Sequence, residues 1–138
     1  MWLHENKEVT SIEEMPEGTF GYVYQVTHIP TGLKYIGKKQ LISNRTLPPL
    51  KGEKRKRKIQ KESDWKTYYG SQAEIKTLVK ESKDKSEFKR EILQYCKTKK
   101  QLTYFEIKWQ FVLGVIETEE YINSNISGRF FGKDLLDK

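Results

Sequence analysis

Two consecutive tyrosine-rich segments are the feature that most constrains the fold of this chain. Residues 19–28 read TFGYVYQVTH, in which aromatic and β-branched residues alternate with smaller or polar ones, as in a half-buried strand. The segment Pro30-Thr31-Gly32 supplies turn-forming residues, and residues 33–39, LKYIGKK, resume the strand pattern. Helical periodicity is absent from both segments. The sequence therefore predicts an antiparallel β-hairpin over residues 19–39.

The rest of the chain predicts helices and one more strand. Ser71 is placed to be the N-cap of a helix, and Glu74 three residues later would complete a capping box. Residues 86–96, SEFKREILQYC, are predicted as a third strand, although their periodicity also permits a helix. Residues 101–116 give the clearest helix, because apolar side chains recur every three or four residues. The tail, residues 120–138, predicts irregular structure with one last helical turn.

The segment between the second strand and the first helix is strongly basic. Pro48-Pro49 argues against a regular element within residues 40–66. The cations that follow these prolines are Lys51, Lys54, Arg55, Lys56, Arg57, Lys58 and Lys61. One interpretation is a solvated, mobile insertion, because like charges at this density repel one another. The interpretation we favour is an arm that grips nucleic acid phosphates and becomes ordered on binding.

The charge balance of the whole chain points to the same class of partner. Lys plus Arg number 26 and Asp plus Glu number 19, which gives a net charge of +7 over 138 residues. A positive surface attracts a polyanion and releases its counterions, so nucleic acid is the leading partner. Net charge can also serve solubility alone. A chain of this length leaves little room for a second core, so we expect one domain, residues 1–138.

Cysteine usage and hydropathy limit the cellular setting. Cys96 is the only cysteine, which excludes an intrachain disulfide and a cysteine-rich zinc site and suits a reducing compartment. The first ten residues lack the apolar run of a signal peptide, and no apolar stretch is long enough to span a membrane. We therefore expect a soluble cytoplasmic protein without a membrane partner.

The two tyrosine segments also resemble a known family. Tyr22-Val23-Tyr24, followed after ten residues by Tyr35-Ile36-Gly37-Lys38, resembles the two strand motifs that name the GIY-YIG nucleases. Glu106 in the predicted late helix and an asparagine after it extend the resemblance over roughly residues 20–125. The runs SDWKTYYGS and FKREIL are similar to versions found in phage-encoded homing-type endonucleases, whose setting would be the host-cell cytoplasm.

The resemblance implies an α+β fold, a small three-stranded antiparallel sheet flanked by helices, that hydrolyses DNA phosphodiester bonds with one divalent ion, Mg²⁺ or Mn²⁺. Tyr24 would activate or orient the attacking water, and Tyr35 would hydrogen-bond the phosphate or a metal-bound water. Glu106 would supply the hard oxygen ligand that Mg²⁺ prefers. Asn123 would tie the C-terminal segment to the site, with Asn125 close enough to be the match instead. Tyrosines in strands and glutamates on helices otherwise serve mainly packing and solvation.

The arginine of the family has no clear match. Arg45 has the family spacing from Tyr35, about ten residues, and is the residue we assign, but Pro48-Pro49 excludes the usual helix there. The other cations that could fill this role are Lys76, Lys80, Arg55, Arg57 and Arg90. The expected phosphate contacts are Lys38, Lys39, Lys54, Arg55, Lys56, Arg57 and Lys58.

Three functions follow from these residues. The first is a metal-dependent DNA endonuclease. The second is a nucleic-acid-binding module that keeps the fold without catalysis, and the third is a small basic assembly protein whose tyrosines only pack. No additional DNA-binding domain fits in the remaining residues. Sequence specificity would therefore come from the basic arm, from an oligomer or from a partner protein.

Overall fold

The computed structural model describes residues 1–135 and shows a mixed α/β fold built on a five-stranded sheet. The strands are β1 Trp2–His4, β2 Lys7–Val9, β3 Gly21–His28, β4 Leu33–Gln40, β5 Ile42–Leu47, β6 Arg57–Glu62, β7 Phe88–Cys96, β8 Asn125–Ile126 and β9 Phe130–Phe131. The helices are α1 Ala73–Glu81, α2 Lys99–Val112 and α3 Gly132–Leu135, with 3-10 turns at Ile12–Glu14, Trp65–Thr67 and Lys85–Glu87. The order in the main sheet is β2-β1-β7-β3-β4.

The predicted hairpin and third strand form the antiparallel half of this sheet. Strand β3 pairs with β4 on one side and with β7 on the other, and Tyr24 stands opposite Gly37 in the first pair. Residues 88–96 are therefore a strand and not a helix, and residues 86–87 belong to the 3-10 turn before it. The β3–β7 register shifts beside Tyr24, which faces Ile92 where an uninterrupted ladder would place Leu93. This bulge keeps Tyr24 and Ile92 on one face and turns Leu93 to the other.

The sheet has five strands where the family resemblance implied three. The N-terminal hairpin β1-β2 adds the other two, because β1 pairs in parallel with β7. Trp2 anchors this addition: its side chain is 1% exposed and its Nε1 donates to the Trp65 carbonyl at 2.6 Å. Strands of three residues are too short to display the alternation by which a strand is recognised.

Apolar side chains cover both faces of the sheet. The first face collects the tyrosine-rich cluster, whose fully buried members are Trp2, Tyr22, Tyr24, Val26, Leu41, Trp65 and Ile75. The second face packs on α2, and its buried members are Val23, Ile36, Cys96, Leu102, Val115, Ile116 and Ile126. The alternation of β3 explains the division, because successive side chains point to opposite faces. None of the helices within residues 1–135 has the length and apolar character needed to cross a lipid bilayer.

The helix boundaries differ from the sequence predictions by a few residues. Helix α1 is capped by Gln72, whose side chain accepts from the Ile75 amide at 2.9 Å, so Ser71 is not the cap. Helix α2 begins after Thr98, which caps the Gln101 amide, and ends at Val112 instead of residue 116. Val112, one of the apolar side chains that recur along the predicted helix, is 65% exposed.

Residues 40–66 are more ordered than the predicted irregular arm. Strands β5 and β6 pair with each other in six-residue register, from Ile42 opposite Glu62 to Leu47 opposite Arg57, and form an antiparallel ribbon separate from the main sheet. Pro48-Pro49 lies in the connection, where no ladder hydrogen bond is needed. Part of the predicted irregular tail likewise forms the short β8-β9 hairpin, and α3 is the last helical turn that the sequence predicted there. Residues 136–138 lie outside the described range.

Candidate active site

The two motif tyrosines lie on neighbouring strands and on one face of the sheet. The rings of Tyr24 and Tyr35 are 6.3 Å apart between centroids. Gly37, opposite Tyr24, provides the space between them, because an added Cβ would stand 2.5 Å from the Tyr24 hydroxyl and 2.9 Å from Tyr35 Cε2. In the sequence Tyr35-Ile36-Gly37 the first and third residues lie on the same face of the strand. Tyr35 therefore supplies one phenol, and the missing side chain of Gly37 leaves space for the Tyr24 phenol beside it.

Both phenols are held in their neutral form. Burial raises the pKa of Tyr24 well above the ordinary range, and the neighbouring Tyr68 and Tyr35 side chains raise it further. Burial also raises the pKa of Tyr35, opposed by a hydrogen bond with Ser71 and reinforced by the charge of Glu106. A desolvated phenolate is unfavourable without a compensating positive charge.

Two groups at this site were not identified from the sequence. Tyr68 packs edge-on against Tyr24 at 6.0 Å between centroids, and Ser71 is close enough to Tyr35 for its hydroxyl to lower the pKa of that phenol against the effect of burial. The chain brings them there through Gly70, whose backbone is in the left-handed region at φ +133° and whose missing Cβ would stand 3.4 Å from the Tyr35 ring. The sequence signal that could have identified them is the similarity of Tyr68-Tyr69-Gly70 to Tyr35-Ile36-Gly37.

Glu106 of α2 approaches the same place from the other face. Strand β4 is the edge strand of the sheet, and Lys38 Nζ donates to Thr103 Oγ1 at 3.1 Å, which places α2 along that edge. Burial raises the pKa of Glu106, and the charge of Lys38 partly offsets the rise. Among the side chains that the structure describes, the Glu106 carboxylate has no ion pair within 4 Å. The edge of β4 therefore brings together the Tyr35 phenol, one carboxylate and one ammonium, and the Tyr24 phenol packs next to Tyr35 from β3.

Asn123 fixes the strand that carries Tyr35 and Gly37. Its Oδ1 accepts from the Ile36 amide at 3.0 Å and its Nδ2 donates to the Ile36 carbonyl at 2.9 Å. Asn125 instead serves the tail, where its side chain accepts from the Gly128 amide and donates to Ser124. Of the two asparagines, Asn123 is the one in contact with the site.

Lys39 lies on the tyrosine face of β4. Its Nζ is 3.8 Å from the centroid of the Tyr68 ring and 2.6 Å from Asp64 Oδ1. The hydrogen bond with Lys39 lowers the pKa of Asp64. Lys38 and Lys39 thus flank the site from opposite faces of one strand.

The arginines are distributed differently. Arg90 is 4% exposed, stacks on Trp2 and Tyr69, and donates to the carbonyls of Lys66 and Tyr68. It supports the Tyr68 backbone and belongs to the core, which excludes it as a phosphate contact.

The other candidate cations lie on the ribbon and on α1. Arg57 donates to the Pro48 carbonyl, and Arg55 is exposed in the connection between β5 and β6. Arg45 lies in β5 opposite Ile59, and its side chain is outside the described part of the structure, as is that of Lys58. The described cations of the ribbon connection, Lys51, Lys54 and Lys56, are all exposed, and Lys76 and Lys80 lie on α1.

A divalent cation fits the donors present at the β4 edge. Within residues 1–135 no three His, Cys, Asp or Glu side chains gather in one place, so the protein offers one carboxylate rather than a cage. Mg²⁺ is commonly held in this way, by one or two carboxylates together with water and substrate phosphate. A cation next to Glu106 would offset the burial that raises the pKa of its carboxyl.

The family comparison agrees with this geometry. A family model described as "Putative endonuclease segE, GIY-YIG domain" matches residues 2–126. The chain belongs to the GIY-YIG endonuclease family. No curated protein and no solved structure gives a significant match.

The matched range covers every element from β1 to β8, including the β5-β6 ribbon. The GIY-YIG motifs of this chain are Tyr22-Val23-Tyr24 on β3 and Tyr35-Ile36-Gly37 on β4. Membership in a GIY-YIG family indicates a nuclease with a nucleic acid substrate.

Proposed function

We propose that this GIY-YIG protein is a metal-dependent DNA endonuclease that hydrolyses phosphodiester bonds, of the homing type that its SDWKTYYGS and FKREIL runs resemble. The observation that carries the proposal is the placement of Tyr35, Glu106 and Lys38 at the edge of β4, with Tyr24 of β3 packed next to Tyr35. Phosphodiester hydrolysis needs an oriented water, compensation for negative charge on the phosphate, and stabilisation of the leaving oxygen. The groups at this edge can supply each of these.

The phenols would position the reactants. Because burial raises the pKa of Tyr24, its hydroxyl is neutral at pH 7 and is suited to orient a water by hydrogen bonding. Tyr35, next to Ser71, would direct its hydroxyl to a phosphate oxygen. Asn123 holds the Ile36 backbone between them, which keeps the two phenols in register.

Glu106 would hold one Mg²⁺ or Mn²⁺ ion. When bound, the ion supplies a positive charge that stabilises the charge developing on the phosphate and on the leaving oxygen. Lys38 lies beside Glu106 and Lys39 lies on the tyrosine face, so both would bind phosphates along the scissile strand. Arg45 remains our proposal for the family arginine.

The remaining assignments concern the whole chain. We propose that it acts as one nuclease unit, with the segment 40–66 as its DNA-binding arm. Lys54, Arg55, Lys56 and Arg57, together with Lys58, would contact phosphates around the ribbon connection. The exposure of Lys54, Arg55, Lys56 and Arg57 and the positive charge of all five residues support this role, since each released counterion favours binding at low salt.

The second candidate is a nucleic-acid-binding module without catalysis. It is favoured by the burial of Arg90 in the core and by helix α1, where the cations considered for the family arginine, Lys76 and Lys80, are lysines. A lysine ammonium is a point charge and cannot form the bidentate hydrogen bonds by which an arginine guanidinium binds a phosphate. This module would bind DNA in a salt-sensitive way and leave it intact.

Plasmid nicking separates the two candidates. Supercoiled DNA would be incubated with the full chain and with Mg²⁺, Mn²⁺ or a chelator, and nicked circles would be measured over time. The endonuclease proposal expects nicking that requires the metal and is lost in Glu106→Ala. Glu81→Ala removes an exposed glutamate from α1 and should nick like the wild type. Equal inactivity of folded wild type and Glu106→Ala, with DNA binding retained, would select the binding module.

A further inference from the structure

The β5-β6 ribbon carries two different sets of side chains on its two faces. Asn44 and Gln60 are directly opposite each other in the ladder, and Thr46 follows Asn44 on the same face. All three side chains are exposed. The opposite face carries the Ser43–Lys61 and Leu47–Arg57 pairs.

We infer that the Asn44 and Gln60 amides read base edges in the major groove of duplex DNA and give the enzyme its sequence preference for adenine-containing sites. The inference rests on the proposed DNA substrate but not on cleavage. An asparagine or glutamine amide both donates and accepts, and it can bond adenine N6 and N7 together. An amide therefore distinguishes bases, whereas a lysine on a phosphate does not.

The dimensions of the ribbon suit this groove. Six residues per strand span about 20 Å, since a strand rises about 3.3 Å per residue. The major groove of B-form DNA is about 12 Å wide and admits a two-stranded ribbon. Directly opposite side chains lie about 5 Å apart, so the two amides reach the same or adjacent base pairs. The major groove of A-form RNA is too deep and narrow for such an element.

The two amides are available for a ligand. Within residues 1–135 neither the Asn44 nor the Gln60 side chain makes a hydrogen bond to the protein, whereas Gln40, Gln72, Gln101, Gln110 and Asn123 all do. Ile42, at the base of the same face, packs on the tyrosine-rich cluster and anchors the ribbon to the body.

The cations of the segment are placed to hold phosphates on either side of the amides. Lys51, Lys54, Arg55 and Lys56 are exposed in the connection beyond the ribbon strands. At the base, Lys61 lines a cleft with Lys39 and Asp64, next to the tyrosine face of β4. Along the length of the ribbon the amides thus lie between the cations of the connection and those of the base, where Lys61 is on the opposite face and Lys39 is paired with Asp64. This order along the ribbon matches bases lying between phosphate contacts.

The base of the ribbon is tied to the strand that carries the candidate active site. Ser63 donates its amide to the Leu41 carbonyl at 2.7 Å and its hydroxyl to the Gln40 carbonyl at 2.6 Å. Trp65 Nε1 donates to Glu62 Oε1 at 2.8 Å. These bonds fix the ribbon relative to β4, so the bases read by Asn44 and Gln60 would lie at a set distance from the cleaved bond.

Selection of bound duplexes from a randomised pool, in chelator without metal, tests the inference separately from cleavage. The wild type should enrich an adenine-containing motif. Asn44→Ala/Gln60→Ala should lose that preference about tenfold to a hundredfold, the discrimination of a good amide–adenine pair. Both side chains are exposed, so the double variant should fold, which circular dichroism and an unfolding curve would establish.

Lys54→Ala is the matched control on the same segment. It should weaken binding to all duplexes about equally, lower the salt dependence by about one phosphate contact, and select the same motif as the wild type. Two results would overturn the inference: the wild type enriches no motif, or the double variant enriches the wild-type motif. Equal competition by duplex RNA would also overturn it. Failure of the wild type to nick DNA would instead count against the endonuclease proposal alone.

Discussion

Gly37→Ala is the substitution that most directly tests how the two phenols are positioned. The new methyl would stand 2.5 Å from the Tyr24 hydroxyl, 2.7 Å from Tyr24 Cζ and 2.9 Å from Tyr35 Cε2. Carbon atoms pack at about 3.5 Å or more, so the rings must move apart by about 1 Å. Tyr24 cannot swing away freely, because its side chain is 1% exposed and meets Trp2 at 5.3 Å and Tyr68 at 6.0 Å between ring centroids.

This steric overlap should lower both the free energy of unfolding and the nicking rate. Overpacking of a filled core costs about 1–3 kcal/mol, so Gly37→Ala should lower the free energy of unfolding by that amount and still fold. A displacement of about 1 Å in a catalytic group costs about a hundredfold in rate. We therefore expect a nicking rate reduced by about two orders of magnitude per folded molecule.

Ile36→Val separates stability from positioning. Ile36 is the adjacent residue on the same strand, is fully buried on the α2 face, and should lose about 1 kcal/mol as valine. Unfolding in urea would give the stability of both variants, and single-turnover nicking at equal folded concentration would give their rates. Ile36→Val should nick nearly as fast as the wild type. Similar rates for Gly37→Ala and Ile36→Val at similar stability would refute the role assigned to the tyrosine pair.

Two further predictions concern buried polar groups. The Tyr22 hydroxyl is buried without a hydrogen-bond partner in residues 1–135, so Tyr22→Phe should leave the free energy of unfolding unchanged or raise it by about 1 kcal/mol. A loss of similar size in a urea titration would show that the hydroxyl has a partner. Burial raises the pKa of Glu106 in the folded protein, so the folded state holds this proton more tightly and stability falls as pH rises past the ordinary carboxyl range. Glu106→Gln removes that loss, because glutamine has no carboxyl to ionise. The free energy of unfolding of the variant should exceed that of the wild type by an amount that grows from acid to neutral pH and shrinks when Mg²⁺ binds the wild type. Parallel stability curves over this pH range would contradict the prediction.

The sequence predicted the elements whose pattern is local. In strands β3, β4 and β7 the side-chain pattern alternates over eight or nine residues, which is long enough to be recognised from the sequence alone. The ribbon was missed because charged and amide side chains fill its strands, and its stability comes from pairing rather than from an apolar face. Strand β1 was missed because its pairing with β7 joins residues nearly ninety positions apart in the chain.

The candidate site shows the same division. Tyr24, Tyr35 and Glu106 could be named because each belongs to a motif or a helical pattern. Tyr68 and Ser71 reach the site through the left-handed backbone of Gly70, which spacing alone does not reveal. Arg90 was one of the residues considered for phosphate binding, yet its place between Trp2 and Tyr69 depends on β1, the strand that the sequence did not show.

The edge of β4 explains why these groups meet where they do. An exposed strand edge invites unwanted pairing, and the segment before Asn123 covers part of it: the Lys34 amide donates to the Glu120 carbonyl, and the Ile122 amide donates to the Lys34 carbonyl. Asn123 continues this cover with its side chain, which satisfies both backbone groups of Ile36. The main-chain cover ends there, one residue before Gly37. Beyond this point the edge of β4 carries Lys38, and Glu106 lies beside it. The segment that ends at Asn123 therefore both protects the edge of the sheet and marks where a DNA strand could approach the tyrosines.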